Sequence, residues 1–446
     1  MKAEVPEKLV AYVWQHQLIS GELTTDEGHR LQVIYPGRHG SGSGPDFRDA
    51  VIDIDGMAAS GDIEIHVKSS CWKAHGHHRD PEYNKLILHV TMQRDGHLPI
   101  QLQKGTIVPT LCLSTFLSSP LNELCQQANA TSRIQPPCPE LKHQNEQDLS
   151  KIIDSAGRKR FAAKVAYFQE AIQHREGPGQ TFFRGIMRAL GYAKNSTPCD
   201  ELASRLPLAI LEGLNPEDCI TSQALLLGTA GLLPSQQLKP QSQPVEEMKV
   251  TEELEKIWQL SGITETMRAA QWRFAGVRPV NHPSRRLIGL SYLLTRYQKP
   301  GLLQGILELV HESPPKASHR WLEDNLVTTT RGYWKNRFDF GIAQTSNTAL
   351  IGRGKAAEII INAVLPFAAA YGEISGELQL KKKAIEIYRH YPEPGDNELT
   401  RHMKLLLLLD RGHKATACQQ QGLIHIFNSY CRSRDCGQCP IALNRS

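Results

Sequence analysis

The amino-acid sequence predicts an α+β domain at the N-terminal end, followed by a mostly α-helical domain with a cysteine-rich end. Three observations carry this. Four segments rich in Val, Ile and Leu, bounded by turn residues, fall within residues 1–125, which is the pattern of short strands. From residue 149 to 446 the apolar residues recur at helical spacing. Between the two, residues 126–148 are polar and carry Pro136, Pro137 and Pro139, the composition of a linker.

Taken in order, Glu7 to Leu18 reads as an amphipathic helix, with Leu9, Val10, Val13, Trp14 and Leu18 on one face. The strands are Arg30–Tyr35, Asp49–Asp55, Gly61–Lys68 and Lys85–Met92, separated by turn residues at Pro36-Gly37, Asp55-Gly56 and Asp95-Gly96. Asp80 is placed to cap a short helix whose first turn holds Pro81. After the linker, Asp148 can cap a long helix that runs to His174. Helices also fit 181–191, 198–212, 219–232, 249–275 and 283–298, with a Pro/Gln-rich break at Pro234–Gln243, and further helices follow to residue 430. No fixed-period repeat is present, so an irregular helical domain is expected rather than a solenoid.

Composition narrows the class. The 446 residues are 40% hydrophobic and 22% charged, values of a folded soluble chain with two or three cores. A net charge of +5 over this length permits nucleic-acid binding without demanding it. Lys2, Glu4, Glu7 and Lys8 interrupt the N-terminus, and no apolar signal segment follows. The most apolar later stretch, Ala357–Tyr371, contains Asn362 and Pro366 and falls short of a membrane span. A cytoplasmic protein without membrane association is therefore expected. Its ten cysteines are expected to be reduced: free, buried or metal-bound.

The most informative stretch is Gly61-Asp-Ile-Glu-Ile-His-Val-Lys68. Alternation puts Asp62, Glu64, His66 and Lys68 on one face and Ile63, Ile65 and Val67 on the other. The apolar face should enter a core and the polar face should line a surface or cleft. Asp62 reads as a solvated strand residue. Upstream, the Gly-rich loop from Ser41 ends in Asp46 at the mouth of the preceding strand, and hairpin topology could bring Asp46 alongside Glu64. Downstream, His75, His77, His78 and Asp80 cluster in the connection, and His89 sits on the fourth strand. Asp46, Glu64, His66 and His77 are the leading metal ligands, with His75, His78, Asp80 and His89 as further candidates. Carboxylates suit Mg or Mn, and imidazoles also suit Zn. Lys68 or His66 could orient a water or stabilise developing charge.

Helix, strand, strand entered by Asp, strand carrying Glu, helix, strand is an order that resembles the PD-(D/E)XK nuclease superfamily, through Pro45-Asp46 and Glu64. The resemblance implies a small restriction-endonuclease-like sheet in which Asp46 and Glu64 bind metal. It also implies a lysine two residues after the Glu that positions the attacking water. Here His66 holds that place and Lys68 comes one alternation later, so either residue could take the role. A second resemblance spans nearly the whole chain. Gly44-Pro-Asp-Phe47, Gly61–His66, His75-Gly-His-His78 with Asp80 and Tyr83, Leu88-His-Val90, Arg278-Pro-Val-Asn281, Gln421-Gly-Leu423 and the late cysteines look like an uncharacterised bacterial family, domain of unknown function 2851. That resemblance implies a shared fold and brings no activity with it.

At the C-terminal end, Cys431, Cys436 and Cys439 form a C-x4-C-x2-C run ending at Pro440. Close spacing points to a shared metal, either structural zinc or an iron–sulfur cluster. Cys418 is the natural fourth ligand on spacing and His425 a substitute; the other six cysteines show no paired spacing. Arg158, Lys159, Arg160 and Lys164 could line one helix face, and Arg331, Lys335, Arg337, Arg353 and Lys355 bracket Tyr333 and Trp334. Such sets can grip phosphates and stack bases, although a charge run is more often a solvated helix face. Gly352–Lys355 lacks the spacing of a P-loop. The function expected from all this is metal-dependent phosphodiester hydrolysis on DNA or RNA. The alternatives are a catalytically inactive nucleic-acid-binding module on the same fold, and a metal-binding hydrolase that does not act on nucleic acid.

Overall fold

Seven strands of the N-terminal region form one mixed sheet in the computed structural model, which describes residues 5–40, 44–96, 99–130, 138–143, 145–174, 176–215, 219–237, 245–274, 277–329, 332–343, 348–409 and 415–443. Residues 41–43 of the Gly-rich loop, residues 131–137 and 144 of the expected linker 126–148, residues 238–244 of the second break and Arg331 lie outside the described residues; the described part of that linker is mostly helical, in Leu121–Ala130, Pro139–His143 and the helix from Glu146. Helix α1 (Glu7–His16) precedes the sheet and buries Leu9, Val10, Val13 and Trp14. It ends where Gln17 turns left-handed (φ 51°). The strands are β1 (Leu23–Thr24), β2 (Arg30–Tyr35), β3 (Arg38–His39), β4 (Phe47–Ile54), β5 (Met57–Lys68), β6 (Leu86–Gln93), β7 (Ile100–Gln101), β8 (Ile107–Val108) and β9 (Thr110–Cys112). Their order in the main sheet is β1-β2-β4-β5-β6-β9, with β3 paired to β4 and β7–β8 a separate ribbon.

The β2–β4 and β4–β5 pairs are antiparallel, whereas β5–β6 and β6–β9 are parallel. Asp55 and Gly56 both take positive φ (51° and 83°) at the β4–β5 turn, the backbone that a tight two-residue hairpin requires. A parallel β5–β6 pair cannot be closed by a hairpin and needs a crossover. Residues 69–85 supply it, through the short helix α2 (Cys71–Ala74) and turns at His77–Arg79 and Pro81–Lys85. Asp80 caps the second turn, accepting from the Glu82 N–H at 2.8 Å, with Pro81 at its first position. Gly61 is obligatory where β5 meets the start of β6: a Cβ there would lie 2.4 Å from the Lys85 carbonyl oxygen.

Ile63 and Ile65 do face a core, packed with Leu88, Val90, Val13, Trp14 and Leu124. The opposite face of β5 is not the open polar surface that alternation alone suggests. The crossover brings Trp72 and Tyr83 over it, against His77 and His89, so Glu64 is 5% and His66 1% exposed. Asp62 is likewise half-buried and accepts the Asp49 N–H at 3.2 Å, rather than being a solvated strand residue.

The chain forms two compact units: Met1–Gly157 with Asp396–Lys414 and Gln419–Ser446, and Arg158–Gly395 with Ala415–Cys418. The division falls inside the helix Glu146–His174, not within 126–148, and much of the C-terminal sequence returns to the first unit. The reason is a second apolar core there, in which Tyr35, Leu149 and Ile153 pack with Met403, Leu423, Phe427 and Ile441. The second unit is helical around one large core that includes Phe182, Phe183, Leu290 and Phe367. It also holds a two-stranded ribbon, Arg337–Asp339 with Ile342–Ala343, that helical periodicity did not announce. Among the described residues one helix, Arg353–Ile374, is long and apolar enough to cross a membrane, and 72% of its apolar window is buried inside the protein.

Candidate metal centre

Asp46 and Glu64 come together as the hairpin reading anticipated. The Asp46 N–H donates to Glu64 Oε2 at 3.1 Å, and the Ile65 N–H donates to Asp46 Oδ2 at 3.0 Å. Each carboxylate is thus tied to the other's strand. Burial raises the pKa of both. For Asp46 the Ile65 N–H and then His75 oppose the rise. Glu64 is pushed up to about 9, first by burial and then by the Asp46 charge, against the Asp46 N–H, with Glu7 adding to the rise.

Imidazoles complete the cluster. His77 Nε2 lies 3.3 Å and His66 Nε2 3.8 Å from Glu64 Oε1. His66 Nε2 is also 3.1 Å from His75 Nδ1. Ligand nitrogens of His66, His75 and His77 all lie within 4.8 Å of one another. On its other side, His66 Nδ1 is 2.8 Å from His89 Nε2. Burial holds the pKa of His66 down to about 2, with His89, His77 and His75 adding to the effect. His89 falls to about 3 for the same leading reason, then through His77. His77 falls to about 4 through burial and then His75, with Asp80 opposing. All three rings are therefore neutral near pH 7 and present lone pairs. His75 is the exposed member of the trio and His66 the buried one.

If His66 Nδ1–H donates to His89, its Nε2 lone pair faces Glu64, His75 and His77. That tautomer is an assignment from the hydrogen-bond geometry. His89 Nδ1 is buried with no hydrogen-bond partner among the described residues. Tyr83 packs its ring 4.1 Å from that of His77. Burial raises the Tyr83 phenol, and Glu64 and Asp46 add to it.

Of the remaining sequence candidates, Asp80 acts as the cap described above and His78 is half-buried beside the cluster. Lys68 is exposed and exerts its charge on Asp95, beyond the end of β6; the structure does not bring it to Glu64. Glu7, which the sequence reading passed over, acts electrostatically on Glu64, and its own pKa is raised by burial and then by Asp46. An acidic residue in a first helical turn is ordinarily explained by the helix dipole, so its spacing gave no separate signal.

Several members of the cation sets in the second unit are engaged, while Arg158, Lys159 and Lys335 are exposed. Lys164 donates to Asn362 Oδ1 at 2.5 Å, and burial lowers the pKa of both Lys164 and Arg160. Lys355 pairs with Glu358, Arg353 with Asp324, and Trp334 is a core residue. At the C-terminal end, Cys418 is buried in the apolar core of the second unit, whereas Cys431, Cys436 and Cys439 belong to the first.

No curated protein and no solved structure matches the chain. Residues 7–397 match the family described as protein of unknown function (DUF2851), and the chain belongs to that family.

Proposed function

We propose that the first unit is a metal-dependent phosphodiesterase acting on DNA or RNA. The observation that supports this most is the convergence of the Asp46–Glu64 carboxylates with His66, His75 and His77. A tetrahedral metal with bonds of about 2.0–2.1 Å needs donors roughly 3.3 Å apart; three donor pairs here are 3.1 to 3.8 Å apart, and the His66, His75 and His77 nitrogens all lie within 4.8 Å of one another. The predominance of imidazole favours Zn or Mn over Mg. A cation would also reverse the burial and mutual repulsion that keep Glu64 protonated. Such an ion lowers the pKa of bound water and stabilises charge on a phosphoryl oxygen.

The chain's own residues have defined parts. Glu64, His66 and His77 hold the ion, and Asp46 fixes Glu64 while its own carboxylate adds negative charge. His89 orients His66 from behind, the usual work of a residue behind a ligand. His75 is exposed, so it is the ligand that meets solvent and substrate. His66 stands where the PD-(D/E)XK superfamily has its lysine, yet burial keeps it neutral. It therefore serves as a ligand and not as a cation that positions water. The strand order also supports the nuclease-like reading: α1, the antiparallel β2–β4–β5 set, a crossover, and β6 parallel to β5.

A second reading is a metal-binding hydrolase that does not act on nucleic acid. The engaged cations of the second unit and the outward Lys68 favour it. Assaying single- and double-stranded DNA and RNA, beside a generic phosphodiester, with Zn, Mn and Mg separates the two. Metal-dependent cleavage of a nucleic acid, lost in Glu64→Ala, is expected. Cleavage of the generic ester alone would favour the second reading, and an unchanged rate in Glu64→Ala would contradict both.

A further inference from the structure

Four cysteines of the first unit lie on elements that pack against one another, and one of them has no spacing signal. Cys431 closes the π-helical turn Phe427–Cys431, Cys436 opens the turn Cys436–Gln438, and Cys439 directly precedes the helix Pro440–Leu443. Cys138 directly precedes the turn Pro139–His143, on which that last helix packs. The backbone of Cys138 is anchored by donation to the Leu406 carbonyl at 2.8 Å. Cys138 and Cys431 pack against the apolar cluster that contains Cys439, Met403, Phe427 and Ile441.

The two Cys-Pro pairs are built alike. In each, proline starts a helical turn whose N–H groups point back at the preceding sulfur. The Glu140 N–H acts on the Cys138 thiol and the Ile441 N–H on that of Cys439, while the Ala442 N–H donates to the Cys439 carbonyl at 2.9 Å. Backbone N–H donors on sulfur stabilise a thiolate and tune a metal-bound one. The four groups are also close enough to oppose one another's ionisation. Cys439, Cys138 and Cys436 each act electrostatically on Cys431. Several thiolates in a half-apolar setting are stable only with a cation among them.

We propose that Cys138, Cys431, Cys436 and Cys439 form a four-thiolate centre for a thiophilic metal, an iron–sulfur cluster or zinc. It ties the C-terminal segment to residues 138–143. Cys138 takes the place that spacing had assigned to Cys418. The C-x4-C-x2-C run has the spacing of a known iron–sulfur motif, with the fourth cysteine upstream here rather than downstream, and four thiolates are also a structural-zinc ligand set.

The test uses the full-length chain purified without oxygen, carrying Glu64→Ala so that metal at the histidine cluster does not count. Iron, acid-labile sulfide and zinc are quantified together with the visible absorption spectrum. Iron with sulfide and a visible charge-transfer band identifies a cluster, and one zinc without sulfide identifies zinc; either supports the site. Cys138→Ser and Cys436→Ser should each lose the metal, whereas Cys418→Ser and Cys125→Ser should retain it. Cys436 is exposed, so its substitution does not threaten packing. A metal-free parent protein, or full metal content in Cys138→Ser, would overturn the proposal.

Discussion

Both units bury ionisable groups, but they satisfy them in opposite ways. In the second unit, Arg285 is fully buried on the helix Pro283–Arg296. Its terminal nitrogens donate to the Arg337 carbonyl at 2.6 Å, to Thr348 Oγ1 at 3.0 Å and to the Thr348 carbonyl. Fixed donors there meet fixed backbone acceptors, which makes Arg285 a clamp on the residues around the ribbon. In the first unit, His66 is buried to the same degree, yet its partners are two other imidazoles and a carboxylate. Neutral imidazoles carry one proton each, so lone pairs are left converging on one point. Burial alone does not mark a site. Buried donors spent on carbonyls mark architecture, and converging lone pairs mark a place for a cation.

Arg285→Ala is the largest way to break the contrast. Losing charged hydrogen bonds and leaving carbonyls unpaired in a new cavity should cost about 3 kcal/mol or more, read by urea unfolding of the whole chain. Its metal content should not change; a cost under about 0.5 kcal/mol would remove the clamp. His89→Gln probes the other side. It should weaken metal binding roughly 10- to 100-fold through a misoriented His66, measured by competition with a chelator, and an unchanged affinity would deny His89 that role.

His402 sharpens the comparison, because it is a buried imidazole with one clear partner, Tyr35, whose hydroxyl lies 3.2 Å from Nε2. Burial, and then Arg38, hold its pKa down to about 3 against the opposing Asp49. The folded state therefore stays neutral where the unfolded chain takes up a proton. Its stabilising contribution is whole above pH of about 6.5 and is lost as pH falls toward 3. Between pH 6.5 and 5 that is about 1–2 kcal/mol. His402→Gln should flatten this part of the stability profile, and a profile identical to the parent's would contradict the assignment. The smallest effect is expected from Lys68→Ala. Because Lys68 faces Asp95, the metal-dependent rate should change less than about threefold, roughly 0.6 kcal/mol.

Much of the sheet was legible. β2 ran where its Val/Ile pattern put it, and the Asp55-Gly56 turn fixed the hairpin that sets Asp46 beside Glu64. Ile63 and Ile65 announced their core face through period-two alternation. The covering of the other face was not legible, because it depends on the path of residues 69–85. Trp72 and Tyr83 bury Glu64 and His66 only once β6 runs parallel to β5. The same limit applies to Cys138. Local spacing can reveal Cys431, Cys436 and Cys439, but the proposed fourth ligand, on an element that packs with Pro440–Leu443, leaves no spacing to read. The return of the C-terminal sequence to the first unit was hidden for a related reason: an amphipathic helix shows that it has a partner without showing which one.

The central claim is that the carboxylate–imidazole cluster binds a metal ion. Its most direct test is X-ray absorption spectroscopy on Zn-loaded full-length protein carrying Cys436→Ser, which removes a ligand of the proposed thiolate centre, with Glu64→Ala added as the control. The expected spectrum shows two or three imidazole nitrogens with carboxylate oxygen at about 2.0–2.1 Å, and no bound zinc once Glu64 is replaced. Zinc ligated mainly by sulfur, or retained at full stoichiometry after Glu64→Ala, would contradict the account.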